Sequence, residues 1–121
     1  AGLGQDTLTG GTGADLFVLR GYDPNSPGAV LKPTITDFVR GADIMVYDAM
    51  FTDEEFPKFR TWGHSTWQHA LRVADAAGVK RVVLFHHDPN HSDERMDEIV
   101  AAAQARRPGT VAAQEGMVLV P

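Results

Sequence analysis

Gly78-Val79-Lys80-Arg81-Val82-Val83-Leu84-Phe85-His86-His87-Asp88-Pro89 is the stretch on which the fold of this chain turns. Residues 82–85 are apolar without a break, as a central parallel strand covered on both faces should be. Gly78 stands where the C-terminal cap of a preceding helix belongs. In open α/β sheets the chemistry gathers outside the carboxyl ends of the parallel strands. His86 is the first polar residue beyond this strand.

Upstream, Ser65 and Gln68 carry the S-x-x-Q signature of a capping box, and Trp67, Ala70, Leu71 and Ala74 follow at the spacing of a core-facing helical stripe. Further back, Ile44-Met45-Val46-Tyr47 is a second apolar run of strand length, and Asp48 is its first polar residue. Asp48 and His86 therefore project at the same sheet edge, where a carboxylate and an imidazole could share one ion. Downstream, Ser92 can cap a helix with Asp93 and Glu94 in its first turn. Met96, Ile99, Val100 and Ala103 form its stripe, and Pro108-Gly109 ends it. Residues 110–113 and 117–120 read as short strands joined at Glu115-Gly116. The order β-α-β-α-β-β predicts an open α/β sheet with crossover connections.

The 121 residues, 43% of them apolar, suffice for one modest core. No apolar run approaches the ~18 residues of a membrane span. The chain opens on Ala1, with no signal-peptide pattern, which fits a processed form or an excised segment. With no cysteine, disulfides and thiolate metal sites are excluded. A net charge of −5 argues against a general nucleic-acid surface but leaves room for a small local anion site. All five histidines fall between positions 64 and 91. His69 lies about 200° from Trp67 around the helix and reads as a surface residue. His91 reads as exposed before its helix, His87 as a loop residue, Asp53-Glu54-Glu55 as a solvated loop or helix start, and Trp62 and Trp67 as packing residues.

Residues 1–18 repeat with a period of nine: Gly at the second and fourth places, Asp at the sixth, an apolar residue at the eighth. This resembles the nonapeptide of the RTX, or hemolysin-type calcium-binding, family. The resemblance implies Ca²⁺ held through Asp6 and Asp15 on turns opened by Gly4 and Gly13, and a secreted protein. Two repeats make one turn of such a roll, so a complete ion site needs further repeats or a second chain. Read without the family, the same residues are a glycine-rich hairpin between Leu8 and Leu16-Phe17-Val18. Residues 1–20 are thus a repeat segment, 21–39 a proline-rich linker and seam, and 40–121 the α/β part.

From Arg40-Gly41-Ala42-Asp43 through Asp48, then Gly63-His64-Ser65-Thr66, then Ala76 to Pro89, and at Glu115-Gly116-Met117, the α/β part resembles the C-terminal half of a metallo-β-lactamase-fold hydrolase. It is most similar to the ribonuclease Z and phosphodiesterase branch. The resemblance implies half of an αββα sandwich, with Asp48 bridging two metal ions and His86 as the last histidine ligand. It implies that His64 assists proton transfer to the leaving group. Zinc is the expected metal, with manganese or iron as alternatives. The family's H-x-H-x-D-H half has no counterpart here, since no histidine precedes position 64. The expected activity is therefore phosphodiester-directed but incomplete in a single chain. Its partner is a complementary N-terminal half-domain or a second copy, and the compartment that the hydrolase resemblance implies is the cytoplasm. The other function is a non-catalytic calcium module with an α/β cap; the bland reading of His64 is a residue that fixes the entry to its helix.

Overall fold

A computed structural model describes residues 39–121 together with the backbone of one strand at 16–19. The strands are β1 (Leu16–Leu19), β2 (Ile44–Asp48), β3 (Arg81–Phe85) and β4 (Val111–Ala112), and the helices are α1 (Trp67–Ala77) and α2 (Asp93–Arg106). A single 3-10 turn spans Phe56–Lys58. The strands form one sheet in the order β1-β2-β3-β4, with every pair parallel. Leu16 to Leu19 pair with Ile44 to Tyr47, so the apolar run of the second nonapeptide is a strand of the α/β sheet.

Why β2 and β3 read as unbroken apolar runs is visible in their two faces. Met45, Tyr47, Val82 and Leu84 point to one side, against Trp67, Ala70, Leu71 and Ala74 of α1 and Ile99 and Ala103 of α2. Ile44, Val46 and Val83 point to the other and join Phe85, Val111, Ala113 and Leu119. Alternation along a strand places these sets on opposite faces. Leu71 and Met45 are fully buried; covering a side chain of this size contributes about 2 kcal/mol. Gly78 ends α1 in the left-handed conformation (φ +66°), with Val79 N–H returning to Ala74 O at 3.0 Å. Ser92 caps α2 through Arg95 N–H at 3.2 Å, and Asp93 and Glu94 occupy the first turn.

Three local expectations are corrected. The cap of α1 is Thr66, whose hydroxyl oxygen accepts from His69 N–H at 3.0 Å. Ser65 is engaged otherwise: its carbonyl takes Phe51 N–H, beside the single parallel bridge between Phe51 and Thr66. Gln68 does not close a box but reaches across to Asp53 N–H (3.0 Å). The third correction concerns 117–120, which is not a strand. Val118 is 84% and Val120 71% exposed, and the tail is tied down through Leu119 packing and an Arg81 bond to Val120 O. An apolar run becomes a strand only where a neighbour offers a ladder, and β4 itself spans two residues.

Candidate metal centre

Asp48 ends β2 directly opposite Phe85, the last residue of β3. It continues the Ile44, Val46 face of β2, and Phe85 the Val83 face of β3. A strand extended through His86 would carry the imidazole to the opposite face. His86 instead has φ +62°, the one non-glycine residue with positive φ among the described residues. That backbone, which costs an L-residue about 1–2 kcal/mol, breaks the alternation and brings His86 Nδ1 to 3.2 Å from Asp48 Oδ2. Strain of this kind, held in place by surrounding structure, gathers at functional positions.

His64 arrives from the other side. The 49–52 segment runs beside 65–67, with Phe51 N–H bonded to Ser65 O and Trp67 N–H to Phe51 O, each at 3.1 Å. This aligns Ser65 N–H on Asp48 Oδ1 at 2.8 Å and leaves His64 Nδ1 2.9 Å from Asp48 Oδ2. Asp48 is 1% exposed, His64 26% and His86 41%, so a buried carboxylate lies beneath two partly open imidazoles. The two rings stack at 4.6 Å. One ligand atom from each of Asp48, His64 and His86 falls within 4.8 Å of the others. The three fit a divalent ion on chemistry as well as position. Carboxylate and imidazole donors suit zinc, manganese or iron, and Asp48 Oδ1 is already held by a backbone donor, as ligating carboxylates are.

The loops around this cluster are more ordered than the sequence predicts. Asp53-Glu54-Glu55 leads into the 3-10 turn as a helix start, with Glu54 exposed and Asp53 and Glu55 half-buried. Thr52 and Glu55 form a reciprocal capping box, Thr52 N–H to Glu55 Oε2 at 2.8 Å and Glu55 N–H to Thr52 Oγ1 at 3.3 Å. The T-x-x-E spacing was the signal for it. Burial raises the Glu55 pKa, but the Thr52 N–H and His91 outweigh this and leave it below its ordinary value. His91 is not exposed: its ring lies 2.9 Å from Glu55 Oε1 with 9% of the side chain open, tying the loop after β3 to the loop after β2. His69 is buried, its ring edge-on to Tyr47 at 5.8 Å. The helical wheel assumes an open polar face, whereas the first turn of α1 is covered by the sheet on one side and by the 49–56 loop on the other.

His87 does not join Asp48. It is half-buried, and burial holds its pKa below the usual histidine value against an opposing bond to the Ala113 backbone. Trp67 packs in the core as expected, but Trp62 is 59% exposed. Asp6, Asp15, Gly4 and Gly13, the positions read as calcium ligands and turns, lie outside the described residues.

Residues 26–87, just over half of the chain, match the family model described as beta-lactamase superfamily domain. Among curated proteins the chain is similar to ribonuclease Z of Bacteroides fragilis (28% identical over 90 residues, 74% of this chain and 29% of the relative). It is also similar to ribonuclease Z of Brevibacillus brevis (32% over 85 residues, 67% and 27%). The chain thus spans under a third of the length of these relatives. Two solved structures share its fold. The metallo-beta-lactamase fold protein YhfI of Bacillus subtilis gives a TM-score of 0.57 at 22% identity over 71% of this chain and 34% of that one. Short-form human tRNase Z gives 0.52 at 24% over 71% and 27%. With the parallel sheet, the strand-end Asp48 and His86 and the family match in agreement, the chain belongs to the beta-lactamase superfamily and is a partial α/β domain of the metallo-β-lactamase fold.

Proposed function

We propose that this chain is the second half of a metal-dependent hydrolase acting on phosphodiesters. The observation that carries the reading is the convergence of His64 and His86 on one oxygen of the buried Asp48. Asp48 and His86 would hold a divalent ion, zinc first, with manganese or iron as alternatives. Such an ion, when bound, supplies an activated hydroxide and polarises a phosphoryl oxygen. His64 has the setting of an acid: as the imidazolium it gives Nδ1–H to Asp48, which holds the ring and offsets its charge, and its Nε2–H is the proton passed to the departing alkoxide.

The ribonuclease Z relatives support the phosphodiester class and, with it, a cytoplasmic setting. Since the chain spans under a third of those relatives, the remaining ligands come from a complementary N-terminal half, in another chain or in a longer protein, and self-association is the other partner reading. Measuring bound zinc, manganese and iron in the purified chain and in Asp48→Ala and His86→Ala tests the reading. Loss of metal in both variants is expected; unchanged metal content would sink it. A calcium role for Asp6 and Asp15 has its support in the nonapeptide phase alone. Calcium titration of Asp6→Ala and Asp15→Ala, with no change in affinity, would remove it.

A further inference from the structure

The 56–64 segment, Phe56-Pro57-Lys58-Phe59-Arg60-Thr61-Trp62-Gly63-His64, interleaves basic and aromatic residues and ends on the proposed acid. Its aromatic rings form a wedge. Phe51, 1% exposed, stacks on Phe59 at 4.6 Å and 7°. Trp62 stands edge-on to both, 5.0 Å from Phe59 and 6.3 Å from Phe51. His64 meets the same Phe51 ring, also at 6.3 Å. Trp62 and His64 thus share Phe51 as a common neighbour. The Trp62 backbone is fixed by a turn, its N–H on Phe59 O at 2.9 Å, and Gly63 (φ +78°) reverses the chain between Trp62 and His64.

Trp62 is nonetheless 59% exposed, the largest open apolar side chain outside the C-terminal tail among the described residues. An open indole beside a hydrolytic cluster offers an apolar face and a polar edge to whatever binds there. The local charge indicates what that is. Lys58 and Arg60 are exposed on the same turn, in a chain of net charge −5. Of the acids just before them, Asp53 is paired with Arg72 at 2.6 Å and Glu55 with His91 at 2.9 Å, while Glu54 is exposed. An aromatic platform flanked by cations is the arrangement that holds a base and its phosphate together.

We propose that Trp62 is the platform on which a nucleobase of the substrate stacks while the adjoining phosphodiester lies against His64. The proposal rests on the phosphodiester reading and narrows it to nucleotide-bearing esters. Trp62 is a positioning residue: it selects and orients, and takes no proton.

The test is binding to the 121-residue chain, measured by calorimetry with adenylyl-adenosine and with the matching base-free diribose phosphate. The base-bearing probe is expected to bind about tenfold or more tightly than the base-free one. Trp62→Ala should erase that difference and Trp62→Phe should keep most of it. In the native chain the bound base should quench indole emission, while the buried Trp67 reports that Trp62→Ala is folded. Equal binding of the two probes, or an unchanged preference in Trp62→Ala, overturns the proposal. The same measurement in His86→Ala separates this result from the metal reading. A base preference that survives there while metal is lost supports the platform alone. Retained metal in the native chain with no base preference removes the platform and leaves the metal centre standing.

Discussion

The Nδ1 of His64 lies 2.9 Å from Oδ2 of Asp48, a carboxylate 1% exposed to solvent. A buried carboxylate is expensive unless something offsets its charge, and here the same oxygen also faces His86. Two imidazoles and one carboxylate can be satisfied by a proton or by a metal ion.

A divalent ion should therefore stabilise the fold. A ligand that binds only the folded state at about 100 times its dissociation constant adds about 2.7 kcal/mol. Zinc added to the metal-free chain should raise the urea midpoint, and chelator should reverse it. Asp48→Asn should abolish the response. A midpoint that ignores zinc in the native chain would count against the site.

Without metal, Asp48 still serves Ser65 N–H, which donates to Oδ1 at 2.8 Å in a buried setting. Asp48→Ala leaves that donor unpaired, at a cost of about 1–3 kcal/mol. Asp48→Asn keeps an oxygen there and should recover much of the loss. Comparing the two variants by urea unfolding in excess chelator isolates the backbone bond; equal losses would mean that Ser65 N–H finds another acceptor.

The left-handed backbone at His86 (φ +62°) makes a prediction that runs opposite to ordinary truncation. His86→Gly relieves an αL residue, whereas His86→Ala keeps it strained. The glycine variant should be the more stable of the two by about 1 kcal/mol, although both lose the imidazole. Gly78→Ala provides the reverse case, since a Cβ there meets nothing within 4 Å and only the φ of +66° opposes it. It should cost about 1 kcal/mol by the same argument.

The pairing of Asp48 with His86 was legible because both follow apolar strands, and strand ends of parallel sheets converge. What aims His86 was not legible: alternation along β3 gives the wrong face, and the correction comes from one backbone torsion that no residue type announces. His69 and His91 were misread for a shared reason. A helical wheel and a charge run both presume open solvent, and the 49–56 loop, closed by Thr52 and Glu55, removes that solvent from the first turn of α1 and from the loop after β3. Trp62 packs in its loop, edge-on to Phe59 and Phe51, as the sequence indicates; that it also stands 59% open is not written in the residue types around it.

The 49–56 loop also sets the response to acid. Burial raises the pKa of Asp53, but hydrogen bonds from Arg72 and Thr66, with the Arg72 charge, more than offset it and hold the carboxyl below its ordinary 3.8. Because the folded pKa is the lower one, the unfolded chain binds the proton first as pH falls. The pair's contribution is thus complete well above 3.8 and is lost as pH descends through that value towards the folded pKa. Asp53 is 39% exposed, so the contribution is screened and modest. Arg72→Ala removes most of what depresses the pKa and should flatten this part of the acid limb. Urea midpoints between pH 5 and about pH 2.5 should converge for the native chain and Arg72→Ala at the acid end and separate towards pH 5. Parallel curves across that range would show that Arg72 does not hold Asp53 ionised.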